Sequence, residues 1–198
     1  MDLNLILVSL VIIIALGFDY TNGFHDAANA IATSVSTRAL TPRAALLMAA
    51  IMNVIGALMG TEVAKTIGKG IIDISHYTSS TDLMMQREGL VIVLSALVGA
   101  VVWNLITWWF GLPSSSSHAL IGGMVGAGLM SGTVVHWWGI MSHVVIPMFA
   151  SPIIGFVVGY VVMRFVLWAL RKAQYHRTMR RFRAAQRFSS AAMALGHG

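Results

Sequence analysis

Five apolar stretches, at about 3–19, 44–62, 89–111, 116–132 and 143–169, dominate this chain of 198 residues and decide what it can fold into. A bilayer core of about 30 Å needs roughly 20 apolar residues per helical crossing. The stretches are built from Leu, Ala, Met, Val and Gly without the short alternation of a barrel strand, so they read as membrane helices. Composition agrees, with 57% hydrophobic residues, 10% charged residues and a mean hydropathy of +0.78. The predicted class is an all-α integral membrane protein of about five hydrophobic helices, including broken or half helices; the fourth stretch is short and Gly-rich. Cysteine is absent, which excludes disulfides, thiolate metal sites and thiol nucleophiles. The N-terminal run "MDLNLILVSLVIIIAL" has no basic flank and no small-residue cleavage site, so it reads as a retained first helix.

Charge is distributed unevenly. The net charge is +6, and eight of the thirteen Lys and Arg residues lie between Arg164 and Arg187, beside the last apolar run. A basic segment in that position anchors topology against anionic lipid and does not indicate nucleic acid. Placing the N-terminus outside puts ten basic residues inside against Lys65, Lys69 and Arg87 outside. The expected orientation in the cell's inner (plasma) membrane is N-terminus out and basic C-terminal segment cytoplasmic. The chain then divides into 1–163, which holds the apolar stretches, 164–187, a basic cytoplasmic linker or surface helix, and 188–198, where a new apolar segment begins. The loop "GKGIIDISHYTSSTDLMMQRE" reads as polar, with His76 a solvated residue, and Trp108, Trp109, Trp137 and Trp138 read as interfacial anchors.

Two polar islands interrupt the apolar sequence. In the first, "GFDYTNGFHDAANA", helical spacing aligns Asn22, Asp26, Asn29 and Thr33 on one face, with His25 beside the stripe. A carboxylate at bilayer depth costs at least about 2.5 to 3.5 kcal/mol, so such a residue faces a protein interior and a partner. Asp and Asn supply hard oxygens suited to Na⁺ or a proton relay. The plainer alternative is a loop after the first stretch, with Asn22-Gly23 as its turn and Asp26 capping a second helix. The second island is "WWFGLPSSSSHALIGGMVGAG". Gly111 and Pro113 end one apolar run, and Ser114 to Ser117 stand on the first turn of the next. Free backbone N–H groups and hydroxyls there form an anion site without a fixed positive charge, although one of the serines is needed as a cap.

Other readings are plainer. Gly122 and Gly126 form a G-x-x-x-G pattern that permits close helix packing, and Asn53 and Asn104 read as interhelical hydrogen-bonding residues. Ser117 and His118 diverge by about 100° on a helix and sit in no nucleophile elbow, so the chain does not read as an enzyme. His25, Asp26 and His118 lack the spacing of metal ligands.

Together, "NGFHDAANAIAT" (22–33) and "GLPSSSSHALIGG" (111–123) resemble the paired signatures of the inorganic phosphate transporter (Pit/PHO4) family, approximately G-[FA]-[HN]-D-x-A-N-A and P-x-S-[ST]-[ST]-H-[AT]. The resemblance covers nearly the whole chain. It implies two homologous halves of inverted topology and symport of inorganic phosphate with H⁺ or Na⁺, in many bacterial members as a neutral metal-phosphate complex. It places Asp26 and Asn29 in the cation-coupling part with Asn22 and His25 near it. Ser115, Ser116 and Ser117 would contact phosphate with His118 beside them. The last residues, "AAMALGHG", resemble the start of the second-half signature A-x-x-H-G-A-N-D-A-Q-K, so the chain reads as the first repeat of an inverted-repeat transporter and as a fragment. No cofactor or resident metal is expected; the expected partners are inorganic phosphate, membrane lipid and, in the complete protein, further copies of itself. The alternatives are a permease for sulfate or another oxyanion and a non-transporting half-subunit.

Overall fold

The computed structural model describes residues 3–59, 70–78, 80–171 and 175–197. In chain order the helices are α1 (Leu3–Ser36), α2 (Pro42–Met59), α3 (Ser75–Thr78), α4 (Leu83–Trp109), α5 (Ser116–Ser131), α6 (Trp137–Ile140), a π-helical turn (Met141–Val145), α7 (Ile146–Ala169) and α8 (Tyr175–His197). Extended pairing among the described residues is limited to the isolated bridge between Ile72 and Val135. Four stretches are long and apolar enough to cross a membrane: Leu3–Phe24, Pro42–Met59, Leu83–Trp109 and Trp137–Ala169. The fold is that of an all-α, multi-pass membrane protein. The fourth apolar stretch is not among those spans, because α5 is 16 residues long and a crossing needs roughly 20.

Several boundaries differ from the sequence reading. α1 does not turn at Asn22-Gly23 but continues to Ser36. One glycine costs a helix only about 1 kcal/mol relative to Ala, and the Ala-rich residues that follow sustain it. The loop alternative for the first island is therefore overturned. α4 begins at Leu83, six residues earlier than the apolar run, because the Asp82 side chain accepts a hydrogen bond from the Met84 amide and caps it. The loop before it is less polar than its composition implies. Ile71 and Ile72 are each 1% exposed and form a cluster with Ile92 and Val135. Glu62, Lys65 and Lys69 lie outside the described residues.

The chain forms two compact units, Met1–His25 with Glu62–Val144 and Asp26–Thr61 with Val145–Gly198. In the first, α4 and α5 form an antiparallel hairpin in which Gly123 meets the Ala96 backbone: a Cβ added there would lie 2.4 Å from the Ala96 carbonyl oxygen. Gly122 and Gly126, the G-x-x-x-G pair, face open space, so the pattern does not mark this contact. The first part of α1 lies parallel to α4. Asn4 Oδ1 accepts from Arg87 Nε at 2.6 Å, Phe18 packs with Leu97 and Ala100, and the Phe24 and Trp108 rings meet edge to face at 5.7 Å.

In the second unit, the C-terminal part of α1 packs with α2 and α8 around Ala30, Ile31, Ala45, Ala49 and Ala194. Ser34 and Ser190, both buried, share a hydrogen bond of 2.6 Å. Arg187 Nε donates to the Ala39 carbonyl at 2.7 Å, just past the turn where Arg38 adopts a left-handed conformation (φ 56°). Position 187/188 thus falls within one continuous, packed helix. α7 is apolar on every face as far as Arg164 and has no buried residue, the pattern of a helix surrounded by lipid or by other membrane helices.

Candidate functional site

The site is built where α4 gives way to α5. α4 closes on Gly111, which takes a left-handed φ of 63°; the Gly111 amide donates to the Trp108 carbonyl and the Leu112 amide to that of Thr107. This is how helices commonly end at glycine. Pro113 cannot continue a helix, and the chain restarts at Ser115, the N-cap of α5, whose hydroxyl oxygen accepts from the His118 amide at 3.4 Å. The amides at the start of α5 are left without intrahelical acceptors, and the positive end of its dipole lies among Ser114, Ser115, Ser116 and Ser117.

These serines have separate fates. Ser115 caps. Ser116 is half-buried and its hydroxyl donates to Asn22 Oδ1 on α1, bringing the two islands together. Ser117 is exposed. Ser114 has a buried hydroxyl oxygen with no hydrogen-bond partner, and it lines a cleft of about 620 Å³ between α4 and α5. Gly99 and Trp103 form one wall of the cleft, and Pro113, Ser115, His118, Ala119, Gly122 and Gly123 the other. Gly122, read from sequence as a packing residue, leaves room there for a ligand.

Of the other residues predicted from sequence, Asp26 is a half-buried residue of α1 in the second unit. His25 and Asn29 also lie on α1, with their side chains outside the described set. The stripe from Asn22 to Thr33 is helical throughout, as its spacing predicts.

Two residues gain significance from the structure. Ser114, expected on the first helical turn, stands just before the Ser115 cap and its hydroxyl is the unpaired one. Asn104, read as an interhelical hydrogen-bonding residue, is 2% exposed and its Nδ2 has no partner. Asn53 on α2 likewise leaves Oδ1 unpaired. The one available signal was the presence of a carboxamide inside an apolar span, which is costly unless something meets it.

Chemically, the cleft offers hydroxyls, amide donors and a helix N-terminus, and among its lining residues only His118 is ionisable. Such a set suits a multiply accepting anion, held by short-range hydrogen bonds and by the helix dipole.

Comparison with known proteins agrees with that chemistry. The model of the phosphate transporter family (PHO4) matches residues 22–182. A "Probable low-affinity inorganic phosphate transporter" of Streptomyces halstedii is 57% identical over 196 residues, covering 99% of this chain and 88% of that protein. A protein of the same description from Bacillus subtilis (strain 168) is 44% identical over 200 residues, covering all of this chain and 57% of that one. Among solved structures, "The sodium-dependent phosphate transporter" superposes with a TM-score of 0.72 at 30% identity, over 82% of this chain and 39% of that chain.

Proposed function

Because the chain belongs to the phosphate transporter family, we propose that it supplies the phosphate-binding part of a secondary permease, with inorganic phosphate bound at the N-terminal turn of α5. The observation that carries the reading is the hydrogen bond between Ser116 and Asn22, which ties the serine turn to the α1 stripe beside a cleft of ligand size. Phosphate would exchange part of its hydration for the hydroxyls of Ser114, Ser115 and Ser117 and the free amides of α5, with Ser116 holding the turn against Asn22. Asp26, one turn beyond Asn22 on α1, would balance the charge of a coupling cation together with Asn29.

The coupling ion would be Na⁺ or H⁺; the solved structure that the chain resembles is that of a sodium-dependent phosphate transporter, which makes Na⁺ the first ion to test. The chain spans 88% of the Streptomyces relative, 57% of the Bacillus relative and 39% of that solved structure; in the longer proteins a second repeat would complete the site. The N-terminus would lie outside and the basic segment at Arg164–Arg187 inside.

The test is uptake of ³²P-phosphate by a bacterial strain lacking its own phosphate transporters and expressing the full-length coding sequence. Saturable uptake, dependent on Na⁺ or collapsed by a protonophore, is expected, and excess unlabelled sulfate should leave it unchanged. Asp26→Asn should remove the ion dependence while the protein still reaches the membrane. Competition by sulfate as effective as by phosphate would favour a general oxyanion permease instead.

A further inference from the structure

Asn104 lies outside both signatures and lines no part of the cleft, yet it is the most deeply buried amide among the described residues to leave a donor unpaired. Its position follows from the register of α1 on α4. Asn4 meets Arg87 and Phe24 meets Trp108, offsets of 83 and 84 residues, with Phe18 clustered between them with Leu97 and Ala100, so contacting positions keep a nearly constant offset along parallel helices of equal rise. That offset sets Asn104 level with Thr21 and Asn22. On α4 the buried face runs through Leu97, Ala100, Asn104 and Thr107, and Leu97 and Ala100 are the residues that pack on α1. The cluster is closed by Ala119 of α5, one turn from Ser116, whose hydroxyl reaches Asn22. One helical turn beyond the Phe18 cluster, Thr21 and Asn22 on α1, Asn104 on α4 and Ser116 on α5 therefore fall at one level.

We propose that Asn104 is a further ligand-binding residue, whose carboxamide N–H donates to an oxygen of the bound phosphate from the α4 side of the serine turn. A buried N–H without a protein acceptor calls for a partner from outside the chain, since groups so placed are otherwise paired. An amide donor adds no charge, so it strengthens oxyanion binding while leaving release possible. This inference rests on the phosphate reading above.

The experiment measures two quantities in the full-length protein: ³²P-phosphate uptake kinetics in the transporter-deficient strain, and thermal unfolding in detergent with and without inorganic phosphate. Asn104→Leu should unfold, without phosphate, at the same temperature as the parent or higher, because no protein hydrogen bond is lost. It should lose the phosphate-induced rise in melting temperature, and its KM for phosphate should increase by about tenfold or more, the range for one hydrogen bond to a charged group. Asn104→Asp keeps size and polarity but presents acceptors only; it should show the same rise in KM, and it decides the matter should the Leu variant fail to fold. A lower melting temperature without phosphate, together with normal phosphate protection and normal KM, would make Asn104 a purely structural residue and overturn the proposal. Absence of phosphate uptake by the parent would overturn the functional reading itself, whereas normal uptake by both variants would overturn the role of Asn104 alone.

Discussion

Ser116 is held by two elements at once: its backbone opens α5 and its hydroxyl reaches Asn22 on α1. Ser116→Ala should raise the KM for phosphate by about two- to tenfold, since it removes the hydrogen bond that ties the serine turn to Asn22 and an intramolecular hydrogen bond contributes about 0.5 to 1.5 kcal/mol. Ser116→Ala and Asn22→Ala should be non-additive in thermal unfolding, with a coupling of at least about 0.5 kcal/mol measured by a double-mutant cycle. Additive effects would show that the two islands do not work together. At this scale the sequence was informative about residue types and poor about their assignments. Four serines in a row marked the turn, but which one caps and which one leaves its oxygen unpaired depends on the path from Gly111 through Pro113. Asn104 looked like an ordinary interhelical hydrogen-bonding residue because sequence cannot show that a buried amide has found no acceptor. Asp73, outside the spans, gives a pH prediction. The hydroxyl and the amide of Ser75 hold its carboxyl below the usual carboxylate range, with weaker help from His136 and His76. A lowered folded pKa contributes stability above the unfolded value of about 3.9 and loses it as pH falls through the folded one. Ser75→Ala should move the Asp73 titration up toward that ordinary value, as read from its carboxyl ¹³C shift.

Between α4 and α5 a single missing side chain sets the spacing of the hairpin. Gly123→Ala would drive a methyl group into the Ala96 carbonyl and should destabilise the detergent-solubilised protein by about 1 to 3 kcal/mol. Gly126→Ala, where no atom lies within 4 Å, should be neutral or stabilising by up to about 1 kcal/mol. The reverse order would mean that the G-x-x-x-G pattern, not Gly123, brings the helices together. The pattern was misleading because helical periodicity alone leaves the facing side of a helix apolar all round undetermined. Of the helix ends with a local chemical signal, the Gly111-Pro113 break was placed from sequence, whereas the Asp82 cap was passed over for the apolar run that begins six residues after the helix does. The core role of Ile71 and Ile72 was invisible, because it arises from backbone pairing with residues 134–136, more than 60 positions away.

For the molecule as a whole, hydropathy sufficed to identify a multi-pass helical membrane protein, since lipid leaves few alternatives to a helix for an apolar backbone. It did not separate a crossing helix from a shorter one, as α5 shows. The parallel seating of α1 on α4 carries a mechanical consequence. Sliding one helix past the other by a turn would break the Asn4–Arg87 and Phe24–Trp108 contacts and the Phe18 cluster together, so these two segments should travel through a transport cycle as a single strut. The chain contains no cysteine, so paired thiols introduced at 4 and 87, or at 24 and 108, would be the only ones present in these 198 residues. Short bifunctional reagents should join each matched pair and leave phosphate uptake intact. Joining that stops uptake would show that the strut has to come apart for phosphate to cross.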